Sequence, residues 1–309
     1  MSKVTISVYE LMEKFPDEES ARLYLEQKRW GSKPVCAYCG CIGNQHAKTR
    51  NEKAGYYFCY HCKRIYTVRT GTIFERSHVP LNKWLYAFYL VVTSRKGISS
   101  LQLSKEIGVT QKTAWFMLQR IREACKDDHD IDGLLRGIVE ADETYIGGKE
   151  ANKHTSKQLK AGRGIVGKVA VLGMRERGGA FKGKVLSDTT ASSIQPELNT
   201  SIADGAVLCT DEHKAYHGNK FNHRSVNHSA KQYVDGMAHT NSIESVWAVL
   251  KRGFYGVYHS FSTKHLQRYV DEFAYRLNDG NCNIHTTGRI DSLISKALSK
   301  RITYAGLIA

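Results

Sequence analysis

The stretch Ile138-Val139-Glu140-Ala141-Asp142-Glu143-Thr144-Tyr145-Ile146-Gly147-Gly148-Lys149 reads as a β-strand that carries three acids among β-branched, apolar and aromatic residues. Carboxylates inside a strand are costly unless they are paired or hold a metal ion, so their presence calls for a chemical reason. Glu140 stands two residues before Asp142 and therefore shares its strand face. Gly147-Gly148-Lys149 reads as a hairpin turn, because the spacing of a phosphate-binding loop is missing.

Working outward, Val207-Leu208-Cys209-Thr210-Asp211 is a second apolar strand that ends on an acid, followed by Glu212, His213 and Tyr216. Further on, His239-Thr240-Asn241-Ser242-Ile243-Glu244-Ser245-Val246-Trp247-Ala248-Val249-Leu250-Lys251-Arg252 reads as a helix beginning near Asn241. Glu244 and Lys251 are about two turns apart and project from one face. Asp142, Asp211 and Glu244 can converge on a pair of Mg²⁺ ions, which take oxygen ligands and substrate phosphates, with Mn²⁺ as an alternative. Two such ions ~3.5–4 Å apart stabilise both the attacking and the leaving oxygen of an in-line phosphoryl displacement. His213 and His239 stand beside these positions, and no H-E-x-x-H zinc motif occurs. Strand-like runs at 137–145, 164–174, 181–186 and 206–210 alternate with helical ones, which predicts an α/β domain over residues 134–290, leaving 291–309 as a tail. The basic, polar stretch 149–163 reads as a loop.

Upstream, Cys36-Ala37-Tyr38-Cys39 and Cys59-Tyr60-His61-Cys62 form a C-x2-C…C-x2-C array with 19 residues between the pairs. Each pair fits a tight turn that points two thiolates at one ion, so residues 33–72 are expected to be a zinc ribbon with a structural Zn²⁺ on Cys36, Cys39, Cys59 and Cys62. Cys41 lies near enough to compete but breaks the pairing. Cys125, Cys209 and Cys282 are isolated and read as small hydrophobes. Lys48, Arg50, Lys53, Lys63, Arg64 and Arg69 surround the knuckles and tilt the module toward DNA. A leading helix is expected within residues 1–32, starting near Phe15-Pro16-Asp17-Glu18-Glu19.

Within residues 80–128, Ser99 and Thr110 cap two helices and Gly108 supplies the turn between them, which predicts a helix-turn-helix. Gln111, Lys112 and Thr113 then open a recognition helix, where base edges and phosphates are reached. Trp115, Leu118 and Ile121 make an apolar stripe assigned to packing.

Over 309 residues, 45 Lys and Arg face 30 Asp and Glu, a formal charge of +15 that favours a polyanionic partner. No apolar run is long enough to span a membrane and the N-terminus lacks a signal-peptide pattern, so a cytoplasmic, nucleoid-associated protein with no membrane partner is expected. In that compartment clustered cysteines stay reduced and serve metals.

These motifs together resemble the zinc-ribbon-bearing ISXO-type insertion-sequence transposases of the DDE class. The likeness runs through the two Cys pairs, 140–149, Thr210-Asp211-Glu212-His213 and 239–252, and continues into Tyr255-Gly256-Val257-Tyr258-His259 and Leu266-Gln267-Arg268-Tyr269-Val270-Asp271-Glu272-Phe273. It implies a ribonuclease-H-like catalytic domain with Asp142 and Asp211 as the first two metal ligands and Lys251 holding DNA near the site, with Arg252 next to it. The third ligand is Asn241 or Glu244, and charge favours Glu244. It further implies binding to element terminal repeats and to target DNA, metal-dependent cleavage and strand transfer, and a homo-oligomer on DNA. Two other readings fit the same modules: a non-catalytic DNA-binding regulator, and a metal-dependent nuclease that cuts without joining.

Overall fold

The computed structural model describes residues 5–42, 45–46, 54–126, 133–148, 150–159, 164–226 and 239–308. These form two compact units, one of residues 1–126 with 279–309, the other of residues 127–278.

The first unit opens with two helices where the sequence predicted one, α1 (Val8–Lys14) and α2 (Glu18–Trp30). Ser7 with Glu10 and Asp17 with Ser20 form reciprocal caps at their starts, which satisfy otherwise orphaned backbone N–H groups. A three-stranded antiparallel sheet follows, β1 (Gln45–His46), β2 (Tyr57–Phe58) and β3 (Ile65–Tyr66). Trp30 at the end of α2 packs edge-on against Tyr57 and Tyr66, so the leading helix closes the core of the cysteine-bearing sheet. Then come α3 (Leu81–Thr93), α4 (Ser100–Ile107) and α5 (Gln111–Cys125). Leu81, Trp84, Leu85, Ala87, Phe88, Tyr89, Val91 and Val92 are all buried, so α3 is apolar nearly all round and occupies the middle of the unit. Ser99 and Thr110 cap α4 and α5 as their sequence predicts, and Gly108 turns the chain between them in the left-handed conformation.

The second unit is a five-stranded mixed sheet in the order β6-β5-β4-β7-β8. The strands are β4 (Ile138–Ile146), β5 (Val169–Glu176), β6 (Phe181–Leu186), β7 (Val207–Thr210) and β8 (Asn222–Ser225). β4 pairs antiparallel with β5 and parallel with β7, and β8 runs parallel to β7. One face carries α6 (Ala191–Ser201) over Val139, Ala141, Leu172 and Leu208. The other carries α7 (Asn241–Gly253) and α8 (Leu266–Leu277) over Ile146, Val171 and Phe181. This is the ribonuclease-H-like α/β class.

Sequence and structure differ in four places here. The second predicted strand of this unit begins at Val169 rather than 164, and β8 went unread. The link from β4 to β5 is not a tight glycine hairpin but the whole segment 147–168, with short 3-10 turns at Glu150–Asn152 and Thr155–Lys157; Lys149 lies outside the described residues. The predicted boundary at 290/291 falls inside α9 (Thr286–Ser299), which is no tail. Its Arg289 donates to the Val92 carbonyl at 2.6 Å, its Asp291 pairs with Lys28, and the Ala297 carbonyl accepts from Ile73. A last helix, α10 (Tyr304–Ile308), belongs to the same unit.

Two glycines set how closely the helices approach the sheet. Asp142, Gly173 and Gly183 lie side by side across β4, β5 and β6. A Cβ at Gly173 would stand 2.5 Å from the Trp247 ring, and one at Gly183 would stand 2.5 Å from Val270. Their hydrogens leave the groove into which α7 and α8 settle. Gly173→Ala should therefore cost about 1–3 kcal/mol through overpacking. Urea unfolding followed by Trp247 fluorescence in a variant lacking the other tryptophans checks this, and an unchanged midpoint would contradict the close approach.

Candidate active site

β4 brings its acids to two faces. Glu140 and Asp142 face α7, whereas Glu143 lies on the side of Tyr216. Glu140 is fully buried and accepts from the Ser242 and Ile243 backbone N–H groups at 2.9 and 3.1 Å. Arg177 Nε donates to its other oxygen at 2.7 Å, and His239 Nδ1 lies 3.2 Å from the same oxygen. Burial alone would raise this carboxyl, but the hydrogen bonds from Ser242, Arg177 and Ile243 outweigh it and hold it below the usual carboxylate range. Glu140, the lesser ligand candidate of the sequence, is thus fully engaged in anchoring the first turn of α7.

Asp142 is treated differently. Its only hydrogen-bond donor from another side chain among the described residues is the Trp247 indole N–H, at 2.9 Å. The parallel register that sets Glu140 against Cys209 runs on to place Asp211, just past the end of β7, beside Asp142. The Asp211 carboxylate accepts the His213 backbone N–H at 3.0 Å. Glu244 lies one turn into α7, exposed, with Asn241 on the same helix face and Lys251 and Arg252 exposed farther along. Burial pushes Asp142 up to about 6; the indole opposes this, while the charges of Asp211 and Glu244 add to it. Asp142 therefore feels the charge of both other acids.

Glu143 is pushed up to about 7, first by burial and then by Asp142 and Asp211. One of its oxygens is buried without a hydrogen-bond partner, and His213 Nδ1 stands 4.0 Å from it. Among the described residues, Asp142, Asp211 and Glu244 form no ion pair with Lys or Arg. Their oxygens do not close to within 4.8 Å as a trio, a spacing that among the described residues is reached by thiol-bearing sets alone. Carboxylates that repel one another and lack a neutralising side chain make a donor set that fits hard divalent cations. Sequence reasoning missed Trp247 and the anchoring role of Glu140, since each depends on contacts with residues about a hundred positions away.

The cysteine cluster is closed by contrast. Cys36, Cys39, Cys59 and Cys62 gather with their ligand atoms within 4.8 Å of one another, and the Cys36–Cys62 and Cys39–Cys59 sulfurs are 3.6 and 3.5 Å apart. A tetrahedral ion with Zn–S bonds of about 2.3 Å wants sulfurs about 3.8 Å apart, so the cage fits zinc. The two knuckles match: Gly40 donates to the Cys36 carbonyl and Lys63 to the Cys59 carbonyl, and both residues have positive φ. A backbone N–H from Cys62 draws the Cys59 thiol down, whereas burial and the hydrogen bonds of Cys36, Cys59 and Cys39 push the Cys62 thiol up. Cys41 joins Cys39 and His61 in a second, three-membered set. Of the basic residues around the knuckles, Lys48, Arg50 and Lys53 lie outside the described residues.

At the start of α5, Gln111 and Lys112 are exposed. The Gln111 amide donates to the Ser100 hydroxyl, and the Thr113 hydroxyl meets that of Thr110 at 2.9 Å. No described helix is long and apolar enough to cross a membrane.

Residues 134–278 match the ISXO2-like transposase domain, and residues 16–65 match the transposase zinc-ribbon domain, which takes in α2 as well as the ribbon. An uncharacterized protein in transposable element ISH50 of Halobacterium salinarum is 30% identical over 280 residues, covering 85% of this chain and 91% of its own length. The chain belongs to the ISXO2-like transposase family. Two solved structures are also similar to it, the Mos1 strand transfer complex and a pre-cleavage Mos1 transpososome, each 13% identical. They cover 63% and 69% of this chain and 76% and 78% of their own, with TM-scores of 0.22 and 0.25. A likeness that slight carries nothing about this transposase's site.

Two outcomes follow from the charge and thiol clusters. The purified transposase should hold one zinc per chain, and Cys59→Ser should lose it and unfold the ribbon locally, since zinc supplies much of the folding energy of such modules. Elemental analysis checks this; full zinc retention in the variant contradicts the cage. For the acids, the folded-state values of Asp142 and Glu143 lie above those of an unfolded chain. The stability they allow is present in acid and is lost as pH rises through about 6 to 7. Without added Mg²⁺, Asp142→Asn should therefore stabilise the second unit by about 1–3 kcal/mol at pH 8 and hardly at pH 4.5. A gain that does not grow with pH would contradict the assignment.

Proposed function

We propose that this transposase binds the terminal repeats of an insertion element and catalyses both DNA cleavage and strand transfer at Asp142, Asp211 and Glu244. The observation that carries the reading is the convergence of Asp211 and Glu244 on Asp142, which the Trp247 indole holds, with no Lys or Arg pairing with these acids among the described residues. Two Mg²⁺ ions held by these carboxylates, with Mn²⁺ as a substitute, supply Lewis-acid stabilisation of the charge that develops on phosphoryl oxygens.

The chain's own groups do the rest. Asp142 sits at a fixed depth because β4 and the indole hold it, and Asp211 follows from the parallel register. Glu244 is carried on a helix whose first turn Glu140 pins. Lys251 and Arg252, exposed on α7, engage phosphates of the strand being cut. Gln111, Lys112 and Thr113 on α5, together with the zinc ribbon, supply DNA binding that locates the ends. Hydrolysis and strand transfer are both in-line attacks by an oxygen on a phosphodiester, so one acidic site serves both. Joining two element ends to one target calls for more than one such site, so we infer a homo-oligomer on DNA.

For the third ligand we favour Glu244 over Asn241, because its charge already acts on Asp142 and a carboxylate offsets the cations better than an amide. Incubating the zinc-loaded protein with element ends, Mg²⁺ and a target plasmid should give joined products. Asp142→Ala and Asp211→Ala should abolish both cleavage and joining while leaving affinity for the end DNA within about twofold, because binding rests on groups outside the acidic site. Glu244→Gln should depress strand transfer far more than Asn241→Ala. Joined products from either Asp variant would sink the metal-site reading, cleavage without joining would make the protein a nuclease, and an inactive Asn241→Ala beside an active Glu244→Gln would move the third ligand to the amide.

A further inference from the structure

A second concave site lies within the first unit, on the flank of α5. It encloses about 380 Å³, at the small end of the ~300–1,000 Å³ typical of ligand pockets. Its chemistry is set by Arg76, His78, Lys112, Phe116, Arg120 and Tyr304, and none of the described residues lining it is acidic.

The aromatic part is built rather than incidental. Phe116 and Tyr304 meet edge to face with ring centroids 5.4 Å apart, the Lys112 ammonium lies 5.6 Å from the Tyr304 ring, and the Arg120 guanidinium lies 4.2 Å from the Phe116 ring. Arg120 is 6% exposed. One of its terminal nitrogens is committed to the Ile73 carbonyl at 2.7 Å, while its Nε is buried without a partner. A buried guanidinium left partly unsatisfied is expensive, and such groups mark places where a further acceptor binds. Arg76 at the rim is largely exposed, and its ion pair with Glu75 is long, at 4.0 Å. Cations beside two ring faces, with no acid in the lining and Glu75 reaching Arg76 only at 4.0 Å, suit a ligand that is both aromatic and anionic.

We propose that this pocket takes one unpaired nucleotide of a DNA strand, its base against Phe116 and Tyr304 and its phosphate on Arg76 and Lys112. The proposal rests on the reading of the chain as a DNA-binding protein. It adds a specific consequence: Lys112, at the start of α5, contacts a nucleotide outside the duplex, and the first unit distinguishes a frayed or overhanging end from a blunt one.

The test uses the full zinc-loaded chain and two duplexes of the same sequence, one blunt and one with a single unpaired 2-aminopurine nucleotide at its end. The overhang should bind about tenfold more tightly, the scale of one base stacked on an aromatic side chain, and its fluorescence should be quenched on binding. Tyr304→Ala should erase the preference and the quenching while leaving affinity for the blunt duplex unchanged, and Tyr304→Phe should keep both. If Tyr304→Ala disturbs α10, Phe116→Leu provides the second variant, with the same expected loss. Blunt and overhanging duplexes bound equally, or a preference that survives both variants, would overturn the proposal and leave DNA binding intact. If neither duplex binds, DNA recognition itself fails. In that case free deoxyadenosine monophosphate binding in a Tyr304-dependent way would assign the pocket to a free nucleotide, and no binding would remove it altogether; either result overturns the strand as the source.

Discussion

The buried carboxylate of Glu140 is the joint on which the second unit turns. It ends a chain of dependence that starts in β4 and reaches the first turn of α7, 102 residues later, through two backbone N–H groups. Helix N-termini carry a partial positive charge, and an anion there both caps the helix and fixes its direction. Arg177 supplies the compensating charge from just beyond β5 and also donates to the His239 carbonyl, which holds the approach to the helix. Without that neutralisation a fully buried carboxylate would be intolerable. With it, the strand and the helix that bear the candidate ligands are set in one register.

Asp142 shares the strand face of Glu140 and receives the opposite treatment. Glu140 accepts from three donors and is held ionised, whereas Asp142 is offered one indole N–H and is pressed by two other acids. Their effects on stability oppose each other: the Glu140 contribution fades as pH falls, and the Asp142 contribution fades as pH rises. The unit thus gives up stability at Asp142, the candidate ligand, and recovers it two residues away at Glu140. Gly173 completes the arrangement by letting Trp247 lie close enough to reach Asp142.

Much of this was legible in the sequence, and the legible part has a common character. Strand periodicity, cysteine spacing and capping residues are local, so they survive translation from chain to fold; Ser99, Gly108 and Thr110 act where their chemistry says they should. What stayed hidden was tertiary. β8, Asn222-His223-Arg224-Ser225, is an edge strand whose exposed polar residues show no alternation. α9 looked like a tail because nothing local says that Arg289 reaches Val92. Glu140 and Asp142 are indistinguishable as letters in a strand, and only the partners brought by α7 and Arg177 separate an anchored carboxylate from one left largely unpaired.

The cysteine cage and the candidate acidic site both gather like groups and differ in what they do with them. Four thiols meet in the first unit, and in the second Asp142 feels the charges of Asp211 and Glu244. The thiols already stand at the spacing of a filled tetrahedron, with Cys36 and Cys59 buried, so the ion they suit has no open position and can only hold the fold. The carboxylates are spread wider, and Glu244 and Asn241 remain exposed at the start of α7. An acidic site left open and unneutralised in this way has room for phosphate oxygens in its coordination, which a closed cage does not. The difference in closure, more than the identity of any single ligand, is what separates the structural cage from the candidate active site of this transposase.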